Sequence, residues 1–200
     1  MPRKNMQKEK RKQILEALNT CLLKKPFLKT SIKDIAREAG VNHGLMHYYF
    51  KSKDDILLHY IDFTIDKYNA IYAEWFESIS KTGMDEKEII EEAIKLMIGK
   101  ITLNTDLSRI FIEIWEIALY NKNVRERLRK MYAVWESTLD TLLTRMGKNK
   151  KNSKSLSKSM VAFAEGIALF SIIFEGKDYP IESVLNNFQR YVSHILDTLN

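Results

Sequence analysis

Residues 30–57 read Thr30-Ser-Ile-Lys-Asp-Ile-Ala-Arg-Glu-Ala-Gly40-Val-Asn-His-Gly-Leu-Met-His-Tyr-Tyr-Phe50-Lys-Ser-Lys-Asp-Asp-Ile-Leu57. Ser31-Ile-Lys-Asp34 has the form of a capping box, with Asp in the usual Glu position, and opens a short helix through Ile32, Ile35, Ala36 and Ala39. Gly40 follows as the C-cap. Asn42 caps a second short helix, and Ser52-Lys-Asp-Asp55 starts a long one. Ile35, Ala36, Ala39, Val41, Leu45 or Met46, and Phe50 supply the apolar contacts that hold the pair against a preceding helix. That arrangement is a helix-turn-helix, in which the second helix enters the DNA major groove and the first crosses the backbone. His43, the bare backbone of Gly44, His47, Tyr48 and Tyr49 make its second helix dense in groups able to reach DNA. Lys29, Lys33, Lys51 and Lys53 flank it as phosphate contacts.

Charge along the chain agrees. Residues 1–53 carry 13 Lys+Arg against 4 Asp+Glu, a balance of +9, within a 200-residue chain whose formal net charge is +6. Residues 54–200 carry 19 against 22, a balance of −3. A basic head on a mildly acidic body suits a polyanion partner; the alternative is a solvated, lysine-rich terminus. A second basic run, Arg145–Lys158, has six Lys+Arg and no acid. It lacks apolar periodicity and reads as an exposed loop between helices.

Outside this stretch, helical periodicity recurs. Ile14, Leu15, Leu18, Cys21 and Leu22 predict a first helix over about 5–24, ended by Pro26, with Phe27 tucked against the helices that follow. Asp85–Glu88 caps a helix with the stripe Ile89, Ala93, Leu96, Met97 and Ile101. Further helices are expected near 106–120, 123–146, 156–175 and 180–198, with Pro180 at a first helical position. Seven Gly and three Pro are too few for the frequent turns of a sandwich or barrel. The fold class is therefore all-α, with about nine helices. Residues 1–53 are expected as a three-helix DNA-binding domain and 54–200 as a larger helical domain. Lone Cys21 offers no disulfide partner. No secretory signal and no uncharged apolar run of 18 residues is read, so the expectation is a cytoplasmic protein without a membrane segment.

The stretch Thr30-Ser31, Ile35-Ala36-Arg37-Glu38-Ala39-Gly40-Val41, His47-Tyr48-Tyr49-Phe50 and Ser52-Lys53-Asp54-Asp55-Ile56-Leu57 resembles the N-terminal domain of the tetracycline-repressor (TetR) family of one-component regulators. It departs from the family pattern at Asn42 and His43, where Ser and a Lys, Arg or Pro are frequent, and at Pro26, which replaces a usual Gly. The resemblance implies base-edge contacts from His43, Gly44, His47 and Tyr48. It implies phosphate contacts from Thr30, Tyr49 and Lys53, with Lys33 a further candidate; Ser31 and Asn42 complete the expected DNA-binding set. It also implies a homodimer on a palindromic double-stranded operator, a small-molecule effector, and repression relieved when that effector binds.

The body shows no Ser/His/Asp or Cys/His constellation, no phosphate-cradling glycine loop and no acid/base carboxylate pair, so no enzymatic activity is expected. His43 and His47, four apart, lack a third metal ligand, and neither metal nor cofactor is expected. Aromatic density in the body's helices suggests an effector cavity lined by Tyr68, Tyr72, Trp75, Met97, Phe111, Trp115, Tyr132, Trp135 and Phe163, although each such residue also serves as core. Glu113 and Glu116, one turn apart in an apolar segment, face either solvent or that cavity. Phe163, Ile167, Phe170, Phe188, Val192 and Ile195 on the last two helices are read as a dimer seam, and Gly166, Ala164 and Ala168 as sites of close helix approach. The alternative function is a helical ligand-binding protein without specific DNA binding.

Overall fold

Nine α-helices make up the regular structure of the residues described in this computed structural model, namely 2–79, 81–96, 104–145, 150–174 and 179–198. They are α1 (Pro2–Lys24), α2 (Ile32–Glu38), α3 (Met46–Tyr49), α4 (Lys53–Ile79), α5 (Glu86–Leu96), α6 (Thr105–Tyr120), α7 (Lys122–Arg145), α8 (Lys150–Ile173) and α9 (Ile181–Thr198). Single 3-10 turns occupy Phe27–Lys29 and His43–Leu45.

Local chemistry fixes most boundaries. Ser31 Oγ accepts the Asp34 amide N–H at 3.1 Å while Asp34 Oδ2 accepts the Ser31 amide N–H at 2.9 Å, so the expected capping box closes. At the other end of α2 the C-cap is Ala39, and Gly40 stands one residue beyond it at φ +59. Val41 N–H reaches Ala36 O at 2.9 Å and Gly40 N–H reaches Arg37 O at 3.2 Å. These two bonds form a Schellman motif, whose left-handed residue is nearly always glycine. Asp85 and Glu88 cap α5 reciprocally, each bond 2.9 Å. Asn121 Oδ1 accepts from the Asn123 and Val124 amides at the start of α7.

Three expectations change. The basic run is no loop over 150–158, because α8 begins at Lys150. Its inner face there is built from Ser153 and Ser157, each 1% exposed. Ser153 Oγ donates to Asp140 Oδ1 at 2.6 Å, so the helix buries small, satisfied polar groups that leave no apolar period. Pro180 precedes α9 rather than opening it, and its carbonyl accepts the Val184 N–H at 3.0 Å. At Gly166 an added Cβ would meet nothing within 4 Å, so no close helix approach is made there within the chain.

Asn152–Ile173 is also long and apolar enough to cross a membrane by length and composition, contrary to the expectation that no segment is. Met160, Val161 and Ala164 of that segment lie in a buried cluster, as in a core helix.

Two compact units divide the chain. One comprises residues 1–72 and 110–128, the other 73–109 and 129–200. In the first, α1 packs on α2 and α3, and buries Ile14 and Leu18 at 0% exposure alongside buried Cys21 and Phe27. In the second, Ile94, Leu139, Leu143, Met160, Val161, Ala164 and Val192 form the core, flanked by Tyr132, Trp135, Leu156, Leu185 and Phe188.

Candidate nucleic-acid interface

The short segment after Gly40 is a 3-10 turn followed by one turn of α-helix, and its geometry is set from the inside. Asn42 Oδ1 accepts the Gly44 N–H at 2.8 Å, which starts the turn. Met46 at 1% and Phe50 at 3% exposure anchor its inner face. The outer face therefore presents His43, Gly44, His47 and Tyr48, all exposed, with Tyr48 at 59%. Tyr49 is half-buried and stands edge-on to Tyr48, ring centroids 5.1 Å apart. Lys29, Lys33 and Lys51 are exposed around this face.

Two residues expected at phosphates point elsewhere. Thr30 is 1% exposed and its hydroxyl donates to Pro26 O at 3.0 Å. Lys53 Nζ donates to Phe27 O at 2.9 Å and Thr30 O at 3.0 Å, and lies 4.3 Å from the Phe27 ring centroid. Both stabilise the turn between α1 and α2, where loop carbonyls need donors. Ser31 and Asn42, also expected at DNA, are exposed but occupied as caps.

Residues outside the expected set hold the head together. Arg11 donates to Tyr49 O at 2.9 Å and sits 4.5 Å from the Phe50 ring centroid. Gln13 donates to Ala39 O at 2.7 Å. Each satisfies a carbonyl at the C-terminus of α3 or α2 that has no intrahelical partner. Lys25 at 2.7 Å, aided by the Ser31 hydroxyl and amide, holds the Asp34 carboxyl well below the ordinary carboxylate range. Polar residues beside Ile14 on a basic helix are the only sequence sign of this role.

α6 is tied to the same turn. Glu113 Oε1 accepts the Phe27 amide N–H, while Glu116 is exposed. Burial raises the Glu113 carboxyl, opposed by the Phe27 bond. Glu113 is thus half-buried and engaged with the α1–α2 turn. Arg127 on α7 binds both carboxylate oxygens of Asp62 on α4 at 2.6 Å, within the same unit.

The residues expected to line an effector cavity fall in both units. Tyr68 and Phe111 are buried, and Tyr72 and Trp115 half-buried, in the first. Burial pushes the Tyr68 and Tyr72 hydroxyls up to about 12. Trp75, Tyr132, Trp135 and Phe163 are half-buried in the second, and Met97 lies outside the described residues. The expected dimer seam needs revision. Ile167 and Val192 are buried within the chain at 3% and 1% exposure, and Phe163 and Phe188 stack on each other at 3.6 Å. Ile195 is half-buried. Among the described residues, Phe170 at 38% and Ile173 on α8, Phe174 just beyond it and Tyr191 on α9 are exposed large apolar residues.

Residues 14–60 match the family described as bacterial regulatory proteins, tetR family. A fatty acid metabolism regulator protein of Bacillus subtilis is 25% identical over 66% of this chain and 65% of its own length. An HTH-type transcriptional regulator in the dhlA 5′ region of Xanthobacter autotrophicus is 22% identical over 90% of this chain and 89% of its own. Among solved structures, a transcriptional regulator from Rhodococcus sp. Rha1 superposes with a TM-score of 0.76 at 19% identity, covering 94% and 96% of the two chains. A regulator from Saccharomonospora viridis in complex with choline gives 0.75 at 20% identity, covering 94% and 97%. With the helix-turn-helix geometry, the match over residues 14–60 identifies this head as similar to the DNA-binding segment of tetR-family regulators, and the chain as a whole shares the all-helical fold of solved transcriptional regulators.

Proposed function

We propose that the chain acts as a homodimer that occupies a palindromic operator and leaves it when a small effector binds the body. The observation that carries this reading is the outward face of His43, Gly44, His47 and Tyr48, set on a turn with a buried inner side and ringed by Lys29, Lys33 and Lys51. Side chains at base edges specify sequence, and lysines at phosphates supply salt-dependent affinity. In this reading residues 1–53 bind DNA and residues 54–200 take the effector and the partner protomer. Phe170, Phe174 and Tyr191 are proposed for the dimer surface in place of residues used inside the chain. A two-fold pair places its recognition segments about 34 Å apart, one turn of DNA.

Effector action is a population shift. A ligand that prefers the body in a conformation whose heads no longer fit successive grooves lowers operator affinity, and about 1.4 kcal/mol of preference gives a tenfold release. The tie from Glu113 to the Phe27 amide supports a mechanical link between α6 and the head. A structural neighbour that holds choline and a curated relative named for fatty acid metabolism support a small effector with apolar parts. No enzymatic role, no cofactor and a cytoplasmic location complete the proposal.

Footprinting on the DNA upstream of the gene, with and without ligands, tests it. The expected result is a protected palindrome whose protection weakens as salt rises. Absence of any protected site at moderate salt favours the helical ligand-binding protein instead.

A further inference from the structure

Leu45 and Met46 are neighbours in the recognition segment, and the structure parts them. Met46 is 1% exposed and Leu45 is 52% exposed. Leu45 has helical backbone angles, φ −86 and ψ −10, and leads directly into α3. Tyr48, three residues on and 59% exposed, therefore shares its face, because residues three apart on a helical turn stand side by side. No task inside the chain uses the leucine side chain. Asn42 caps the turn, and Met46 and Phe50 fill its inner side.

A single exposed leucine is ordinary on a protein surface and calls for no partner. Leu45 is not isolated. With Tyr48 it makes two large apolar side chains on the short outward face whose other members are His43, Gly44 and His47, all exposed. The histidines and the Tyr48 hydroxyl exchange hydrogen bonds with base edges or phosphates, but a leucine gains only by covering apolar surface. In a DNA major groove the bases present donors and acceptors, and the apolar group among them is the C5 methyl of thymine.

We propose that Leu45 selects thymine at one position in each half of the operator by packing on its C5 methyl. This names a base that the recognition face requires, and it rests on the operator-binding reading above. Uracil pairs with adenine through the same donors and acceptors and lacks only the methyl, so hydrogen bonding does not distinguish the two bases and the leucine contact does. Burying one methyl against an apolar side chain is worth about fourfold in affinity per half-site, and about sixteenfold when both half-sites lose it.

The test uses the full-length protein and the palindrome that it protects in the DNA upstream of its gene. Deoxyuridine replaces each thymine of the half-site in turn, at both symmetry-related positions, and fluorescence anisotropy at fixed salt reads the affinity. The expected result is a thymine position whose replacement weakens the wild type about sixteenfold, with the remaining thymines staying within about twofold. Leu45→Ala is expected to bind the thymine operator more weakly than the wild type does, and to bind the thymine and uracil operators within about twofold of each other. Leu45→Gln, close in length but polar at its end, takes the place of the Ala variant should that one fail to fold. The proposal is overturned if no thymine replacement weakens the wild type, or if the Leu45 variant keeps the full uracil penalty. In either case the protected palindrome, and with it the regulator reading, stands. Absence of any protected palindrome refutes the regulator reading and the thymine contact together.

Discussion

Replacing Glu113 with Ala removes the acceptor for the Phe27 amide, in a turn where Phe27 is 3% exposed and Lys53 already bonds the Phe27 and Thr30 carbonyls. A buried N–H left without a partner costs about 1–3 kcal/mol. Half-burial of the carboxyl places this one near the middle, about 2 kcal/mol. For a chain of this length that corresponds to a fall of about 4–8 °C in the unfolding midpoint. Glu113→Gln separates hydrogen bonding from charge. The carboxamide oxygen still accepts the amide, and the burial that raises the carboxyl is relieved. The Gln variant is therefore expected within about 1 kcal/mol of wild type. Thermal unfolding followed by circular dichroism reads both, and operator binding at fixed salt reads whether the turn still holds the head. Two variants that unfold together, either both at the wild-type temperature or both well below it, refute the assignment of Glu113 as the acceptor that holds this turn.

Gly40→Ala places a side chain at φ +59, where no atom obstructs it but the backbone itself is strained for L-residues. A loss of about 1–2 kcal/mol in a denaturant melt is expected, and an unchanged midpoint contradicts the Schellman geometry. The Glu165 carboxyl lies at about 7 in the folded protein, above its ordinary value of 4.5. A raised acid binds its proton more tightly when folded, so its ionisation removes stability as pH climbs through this interval. Glu165→Gln is accordingly expected to raise the ligand-free unfolding midpoint more at pH 8 than at pH 5; equal shifts at both values contradict it.

The head was legible because its signals are local. Ser31 and Asp34 are three apart and close a box, Gly40 marks a left-handed turn, and Met46 and Phe50 bury one side of a segment whose other side then faces out. What escaped was set by tertiary partners. Thr30 and Lys53 look like phosphate ligands in sequence, yet the carbonyls of Pro26 and Phe27 take them. Ser153 and Ser157 read as loop, because burial of a small hydrogen-bonded residue leaves no hydrophobic period. Val192, Ile167 and the Phe163–Phe188 stack have the composition of a seam between copies but are consumed within the chain. Glu165 did carry a sequence signal, a lone charge in an apolar run, of the kind that periodicity alone passes over.

The central claim is that the exposed face around Tyr48 reads DNA. Operator affinity of wild type and Tyr48→Ala, measured by fluorescence anisotropy at two salt concentrations with light scattering for mass, tests it most directly. The account predicts a loss of about 1–3 kcal/mol in specific binding, with the salt slope and the dimer mass retained. Wild-type affinity in the variant, or loss of the dimer along with binding, would contradict it.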